Sequence, residues 1–210
     1  MEKHSENNLH SLKGGEAMRN TYKLICLLGG GASGKDTVRN ILIEKHHDKF
    51  VPAISHTTRP MRSSETGSEY HFIDEAEFNA MHENGEFVEI REYKVANGDT
   101  WYYGYSVEEV NCALSKNNVL MIVDLDGFKE LKAFYGEICV GIFLSVTKDI
   151  RIGRYLNREK ITFDVVEEAA RRIKDDDERA FLGVENEVDF IFQTESSEYS
   201  VEMIEKLLEL

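Results

Sequence analysis

Short apolar runs alternate with amphipathic stretches along this chain. Residues 24–28 and 119–123 are apolar runs of strand length, and the first ends in three consecutive glycines. An apolar run that stops at glycine is typical of a buried parallel strand. Between such runs apolar residues recur at helical spacing, as at Val38, Ile41 and Leu42. This alternation predicts an α/β fold with a parallel sheet and right-handed crossovers.

The same pattern assigns the individual elements and divides the chain. Strands are predicted at 22–28, 50–55, 86–91, 100–103, 119–123, 138–144 and 189–192, and 56–68 is predicted to be a loop. Helices are predicted from Gly34, at 75–83 with Asp74 as N-cap, and at 107–116, 128–135, 149–157, 163–182 and 200–208. Residues 55–103 break the alternation and predict an inserted mixed lobe. The core is then 21–54 and 104–210, with a lid at about 154–170 and a disordered tail at 1–20.

Charge and cysteine usage narrow the class of ligand and the compartment. The 210 residues include 39 acidic and 25 basic side chains, a formal charge of −14. This balance excludes a general binder of long nucleic acid but allows a small anion in a local basic pocket. The three cysteines are odd in number and lie far apart, which disfavours a disulfide framework or a zinc site. Cys26 and Cys139 lie within apolar runs, which predicts buried thiols in a reducing, cytoplasmic setting. No apolar run approaches the roughly 20 residues that span a membrane.

A glycine-rich segment between the first strand and helix carries the clearest chemical signal. Residues 29–37 read GGGASGKDT and match the phosphate-loop pattern GxxxxGK. Glycine N–H groups and the helix N-terminus can surround phosphate oxygens, while Lys35 supplies a mobile cation. Asp36 replaces the usual hydroxyl residue, so Thr37 becomes the candidate Mg²⁺ ligand, with most ligands from phosphates and water. The predicted ATP-binding residues are Gly29, Gly31, Ser33, Gly34, Lys35, Asp36 and Thr37.

A second candidate phosphate site lies in the polar stretch 55–62, which reads SHTTRPMR. Arg59 and Arg62 flank a proline-stiffened turn, and their forked guanidinium groups suit bidentate contact with a phosphate. Tyr70 and Tyr103 are candidate hydroxyl donors. Taken alone, the two arginines are more typical of ordinary surface charges than of a phosphate site.

Several segments together resemble one family. SHTTRPMR (55–62), ETGSEYHF (65–72), GEFVE (85–89), YYG (102–104) and DLD (124–126) occur in the order and at the spacings of guanylate kinases. The resemblance runs from about Lys23 to the end of the chain. It implies a P-loop NTPase fold, with an inserted mixed α/β lobe for the nucleoside monophosphate and a short helical lid. It also implies Mg²⁺-dependent transfer of the ATP γ-phosphate to GMP and dGMP.

The resemblance further implies roles for particular residues. Ser55 and Glu89 would read guanine, and a carboxylate suits this task because guanine offers an adjacent N1–H and amino group, whereas adenine offers an acceptor. Arg59, Arg62, Tyr70 and Tyr103 would bind the GMP phosphate, Asp124 would face Mg²⁺ and Lys35, and Asp126 would contact the acceptor base or ribose. Arg154, Arg158 and Arg172 would contact the transferring phosphoryl group. Tyr105 and Thr194 depart from the family pattern, where a small hydroxyl residue and an asparagine are common.

Two other functions stay open at this point. One is a kinase of the same fold that acts on a different acceptor, such as a bisphosphorylated sugar or another nucleotide. The other is a guanylate-kinase-like module that binds phosphopeptides without catalysis, which the intact Lys35 and glycines disfavour. The expected partners are small nucleotides, and both a monomer and a homodimer fit the sequence. The acidic run 175–178 predicts a solvated helix face.

Overall fold

A computed structural model of the protein describes residues 22–61, 65–68, 70–94, 98–157 and 162–210, without the side chains of residues 164, 165 and 168. The predicted tail 1–20 and the predicted site residues Arg62 and Arg158 lie outside these ranges. The strands are β1 (Leu24–Leu28), β2 (Phe50–Pro52), β3 (His56–Thr57), β4 (His71–Phe72), β5 (Phe87–Lys94), β6 (Thr100–Ser106), β7 (Asn118–Ile122), β8 (Cys139–Ser145) and β9 (Phe190–Gln193). The α-helices are α1 (Lys35–Lys45), α2 (Glu75–Glu83), α3 (Val107–Leu114), α4 (Leu125–Tyr135), α5 (Lys148–Leu156), α6 (Phe163–Asp175) and α7 (Ser197–Leu207).

The larger sheet is parallel and has β1 at its centre. Its strand order is β2-β7-β1-β8-β9. Successive side chains of β1 alternate between the two faces: Cys26 packs with Phe128 of α4, and Leu27 packs with Val38 of α1. Both faces are therefore covered by helices, which explains why β1 is apolar at every position. The predicted α/β fold is confirmed.

The smaller sheet lies within residues 56–106 and has the order β4-β3-β6-β5. Strands β5 and β6 pair antiparallel, with Glu89 opposite Tyr105 and Arg91 opposite Tyr103. This mixed sheet is the structural counterpart of the predicted lobe. The predicted loop 56–68 is wrong at its start, because His56–Thr57 forms β3 between β4 and β6.

Capping side chains decide where the helices begin. Asp74 Oδ1 accepts from the Glu77 N–H at 2.8 Å, and α2 has the predicted bounds. The predicted start of α4 at Phe128 is wrong, because Asp124 Oδ1 accepts from the Gly127 N–H at 2.9 Å and the helix begins at Leu125. The predicted helix over 163–182 is helical as far as Ala180, but the α-helix ends at Asp175 and a π-helical segment follows at Asp176–Ala180. No helix in the described ranges is both long and apolar enough to cross a membrane.

Candidate active site

The phosphate loop joins the carboxyl end of β1 to the first turn of α1. Gly29 and Gly34 have φ values of +151° and +98°, a region that L side chains rarely adopt. Gly34 directly precedes α1 and gives it no side-chain cap. The first N–H groups of this helix are consequently available to an anion.

Lys35 lies folded across the phosphate loop. Its Nζ donates to the carbonyl oxygens of Gly29 at 2.5 Å and Gly30 at 3.1 Å. These contacts hold the Lys35 ammonium group at the loop, which the sequence predicts to bind phosphates. A phosphate oxygen can replace the carbonyl oxygens as the acceptor when nucleotide binds.

An open pocket of about 270 Å³ lies beside the phosphate loop. It is lined by Ala32, Gly34, Thr37, Arg154, Asn157 and Ser197. Arg154 Nη1 donates to the carbonyl oxygens of Ala32 and Ser33, both at 3.0 Å, and Nη2 donates to that of Glu195 at 2.7 Å. Arg154 therefore ties the loop to the segment between β9 and α7. Of the two residues after Lys35, Thr37 lines the pocket, whereas Asp36 is exposed and lies 3.8 Å from Arg39.

A second arginine, which no sequence motif indicates, is buried against the phosphate loop. Arg151 of α5 is 5% exposed and donates through Nε to the Gly31 carbonyl oxygen at 2.9 Å. Its guanidinium pairs with Asp176, and with Asp177 at 3.1 Å. Asp176 Oδ2 in turn accepts from the Gly31 N–H at 2.7 Å. The prediction of a solvated face is thus wrong for Asp176 and Asp177, which neutralise a buried cation at the loop, whereas Glu178 of the same run is exposed.

The three consecutive glycines are the sequence feature that could have indicated the contact between Arg151 and the phosphate loop. A Cβ atom at Gly30 would collide with the Arg151 guanidinium, and one at Gly31 would collide with the Tyr155 hydroxyl. A side chain at either position would therefore have to displace the Arg151 guanidinium or the Tyr155 hydroxyl from the loop.

Arg59, Tyr70 and Tyr103 come together as the sequence predicts. The Arg59 guanidinium lies 5.3 Å from the Tyr70 ring centroid, and the Tyr70 and Tyr103 centroids are 5.8 Å apart. Arg59 is 4% exposed and pairs with both Glu65 carboxylate oxygens, at 2.6 and 3.0 Å. Glu65 is the main cause that raises the pKa of Arg59, and the neighbouring Tyr103 hydroxyl adds to it. The guanidinium is charged but already paired, so contact with a phosphate requires the Glu65 pair to open.

Glu89 is an almost completely buried carboxylate. It is 1% exposed and packs against the first turn of α4, where a Cβ atom on Gly127 would lie 2.7 Å from Oε1. Burial raises the pKa of Glu89 to about 7, and the Asp124 and Glu130 carboxylates of this helix raise it further. Arg91, with Nε 2.6 Å from Glu89 Oε1, opposes this shift. No sequence motif described above includes Arg91.

The remaining predicted residues take diverse positions. Asp124 uses Oδ1 to cap α4, and Asp126 is exposed in the first turn of the same helix. Ser55 is buried, and Arg172 is half-buried on α6. In the described ranges no group of three or more His, Cys, Asp or Glu side chains could hold a metal ion. A metal at this site would accordingly need ligands from the nucleotide.

Comparisons with known proteins agree with this geometry. The family model described as guanylate kinase matches residues 21–209. A guanylate kinase of Helicobacter hepaticus is 31% identical over 147 residues, 69% of this chain and 70% of that protein. One of Bacteroides thetaiotaomicron is 38% identical over 127 residues, 59% of each protein. The crystal structure of guanylate kinase from Anaplasma phagocytophilum has the same fold, with a TM-score of 0.62, 24% identity, and coverage of 90% of this chain and 85% of that one. The chain belongs to the guanylate kinase family.

Proposed function

We propose that the protein is an ATP:GMP phosphotransferase, which moves the γ-phosphate of ATP onto GMP or dGMP. One observation beyond family membership carries this proposal. The buried Glu89 carboxylate packs at the first turn after β7, and β7 pairs with β1, which carries the phosphate loop. The donor loop follows the end of β1, and the Glu89 carboxylate of β5 packs on the helix that follows the neighbouring end of β7, at the usual ligand crevice of such sheets.

The donor half of the reaction uses the phosphate loop. Backbone N–H groups and Lys35 bind the β- and γ-phosphates, and Arg154 lies at the mouth of the adjoining pocket. Mg²⁺ fits here because the pocket presents the Thr37 hydroxyl, and this ion accepts few protein ligands beside phosphates and water. Thr37 and Asp124 would hold it, and its chemistry is to neutralise the phosphate charge.

The acceptor half places GMP for in-line attack. Glu89 and Ser55 bind the base, and Arg59, Arg62, Tyr70 and Tyr103 bind the phosphate. An oxygen of the GMP phosphate forms a bond to the γ-phosphorus while the bond to the bridging oxygen of ATP breaks, which yields GDP and ADP. No covalent enzyme intermediate is needed, so positioning and charge neutralisation by Lys35 and the lid arginines Arg154, Arg158 and Arg172 supply the catalysis. Closure of the lobe and of the lid excludes water, which would otherwise hydrolyse ATP.

We also propose a cytoplasmic enzyme without nucleic-acid or membrane partners. The Cys26 and Cys139 sulfur atoms lie 3.8 Å apart in the core as free thiols. Two adjacent reduced thiols suit a reducing compartment. The net charge of −14 disfavours binding to phosphate-rich polymers.

A coupled assay of ADP release tests the proposed function. The purified chain is assayed with ATP, Mg²⁺ and one acceptor at a time: GMP, dGMP, AMP, IMP, CMP, UMP or a pentose bisphosphate. Turnover with GMP and dGMP is expected. Turnover with another acceptor alone would establish a different kinase, and no turnover with any of them would favour a binding module.

A further inference from the structure

We infer that Arg91 is a second base-reading residue, which donates to the O6 atom of guanine while Glu89 accepts from N1–H and the amino group. This inference rests on the proposed function, because it concerns the acceptor base. Nothing in the family resemblance assigns a role to this arginine.

The first step is the position of the two side chains. Glu89 and Arg91 are two residues apart on β5, so they lie on the same face of the smaller sheet. Their partners across the antiparallel pair are Tyr105 and Tyr103. The Arg91 guanidinium lies 5.8 Å from the Tyr105 ring centroid, and its Nε lies 2.6 Å from Glu89 Oε1. A carboxylate and a guanidinium thus stand side by side on the surface that also carries Tyr103.

The second step is the unused hydrogen-bonding capacity of this pair. Both carboxylate oxygens of Glu89 and the Nε of Arg91 are buried, and none has a hydrogen-bond partner among the described residues. Their close approach is an ion pair without the alignment of a hydrogen bond. Buried polar atoms in this condition are rare in folded proteins, and a ligand that pairs with them is one way to complete the network.

The third step is complementarity. The edge of guanine offers an amino group, N1–H and O6, which is a donor, a second donor and then an acceptor. A carboxylate beside a guanidinium offers the matching order of two acceptors and then donors. Arginine to O6 is also the commonest specific contact with guanine in nucleic-acid recognition. Adenine, with an acceptor at N1 and a donor at the sixth position, mismatches both Glu89 and Arg91.

The charge on Arg91 supports the same assignment. Asp124 and Glu130 of α4 and burial itself all favour the protonated form of Glu89, and Arg91 is the group that opposes them. Reading N1–H requires the ionised carboxylate, since a protonated one presents a donor to a donor. In addition to its proposed contact with guanine O6, Arg91 therefore favours the ionised, acceptor form of Glu89.

The test compares acceptors that differ at single atoms. In 6-thioguanosine monophosphate a weakly accepting sulfur replaces O6, and IMP lacks the amino group but keeps O6 and N1–H. The ratio of kcat/KM for GMP to that for each analogue is measured at neutral pH for the wild type, R91M and R91K. Lys94→Met is the matched control, because Lys94 lies on β5 with its side chain 82% exposed.

The wild type is expected to prefer GMP over the thio analogue by at least about fivefold, the lower end of what an arginine contact with guanine supplies. R91M should raise the KM for GMP and bring this preference close to one. R91M should keep the preference for GMP over IMP, because Glu89 still accepts from the amino group. R91K keeps the positive charge but loses the forked guanidinium, so its preference for GMP over the thio analogue should lie between those of the wild type and R91M. K94M should match the wild type.

Three outcomes would overturn the inference. The inference fails if the wild type does not distinguish GMP from the thio analogue, and this result needs no variant, so it holds even if R91M does not fold. An unchanged preference in R91M or R91K would leave Arg91 a structural partner of Glu89. With either of these two results, turnover of GMP by the wild type would still support the proposed function. No turnover of GMP by the wild type would overturn both the proposed function and the inference about Arg91.

Discussion

Glutamine at position 89 should stabilise the folded protein at alkaline pH. Burial, as the main cause, raises the pKa of Glu89 from an ordinary 4.5 to about 7, with Asp124 and Glu130 adding to it and Arg91 opposing. The folded protein consequently binds this proton more tightly than the unfolded chain does. The contribution of Glu89 to the free energy of unfolding is greatest below pH 4.5, falls as the pH rises from 4.5 to about 7, and is level above that.

The size of this effect follows from the two pKa values. Each tenfold step in a proton equilibrium is worth about 1.4 kcal/mol, so ionised Glu89 costs the folded protein about 3 kcal/mol above pH 7. Glutamine has the shape of the protonated acid and no charge. Glu89→Gln should therefore raise the free energy of unfolding by about 3 kcal/mol near pH 8 and by almost nothing near pH 4. The same variant should lose selectivity for GMP over AMP, since its amide presents a donor to guanine.

Urea unfolding followed by the fluorescence of Trp101, the single tryptophan, measures this difference across the pH range. Glu92→Gln is the matched control, because Glu92 lies on the same strand with a half-exposed side chain. A difference between E89Q and the wild type that does not change with pH would refute the reasoning about burial. An unchanged ratio of GMP to AMP activity would remove Glu89 from base reading.

Three further substitutions probe the phosphate loop. Lys35→Ala should lower turnover by orders of magnitude and leave GMP binding by calorimetry intact, and wild-type turnover would make the loop dispensable. Arg151→Met should lower the free energy of unfolding by about 3–5 kcal/mol, because it removes the buried cation that pairs with Asp176 and leaves Asp177 paired only with the exposed Lys148; a loss below 1 kcal/mol in urea unfolding would contradict a structural role. Ala32→Gly should raise that free energy by about 0.5–1 kcal/mol, since Ala32 has a φ of +62°, and a loss of stability would argue against backbone strain.

Local signals explain which elements the sequence pattern predicts correctly. Asp74 precedes an amphipathic stretch and fixes the start of α2, because an N-cap needs only residues three apart. Asp124 likewise precedes an amphipathic stretch, as an N-cap does. It also follows an apolar strand, and at that position a role in ligand binding is an equally good interpretation. The pattern therefore misplaces the start of α4. The two-residue strand β3 is too short to leave any periodicity, so a loop is the natural prediction for it.

The candidate site divides in the same way. Lys35 and the glycines are predictable because their motif is continuous in sequence, and Glu89 is predictable through the family resemblance. Arg151 is not predictable, since its partner Gly31 is 120 positions away and its partner Asp176 is 25 positions away. Arg91 leaves no signal of its own on a strand that already carries charges. The sequence pattern does not show which charged residues pair when they lie far apart along the chain.

Transfer of labelled phosphate tests the central claim most directly. ATP carrying radiolabel in its γ-phosphate is incubated with the purified chain, Mg²⁺ and GMP, and the products are separated by chromatography. The account predicts that the label moves to GDP, in step with the ADP formed and with little free phosphate, and that Lys35→Ala abolishes the transfer. Label that stays in ATP, or that leaves only as inorganic phosphate, would contradict it.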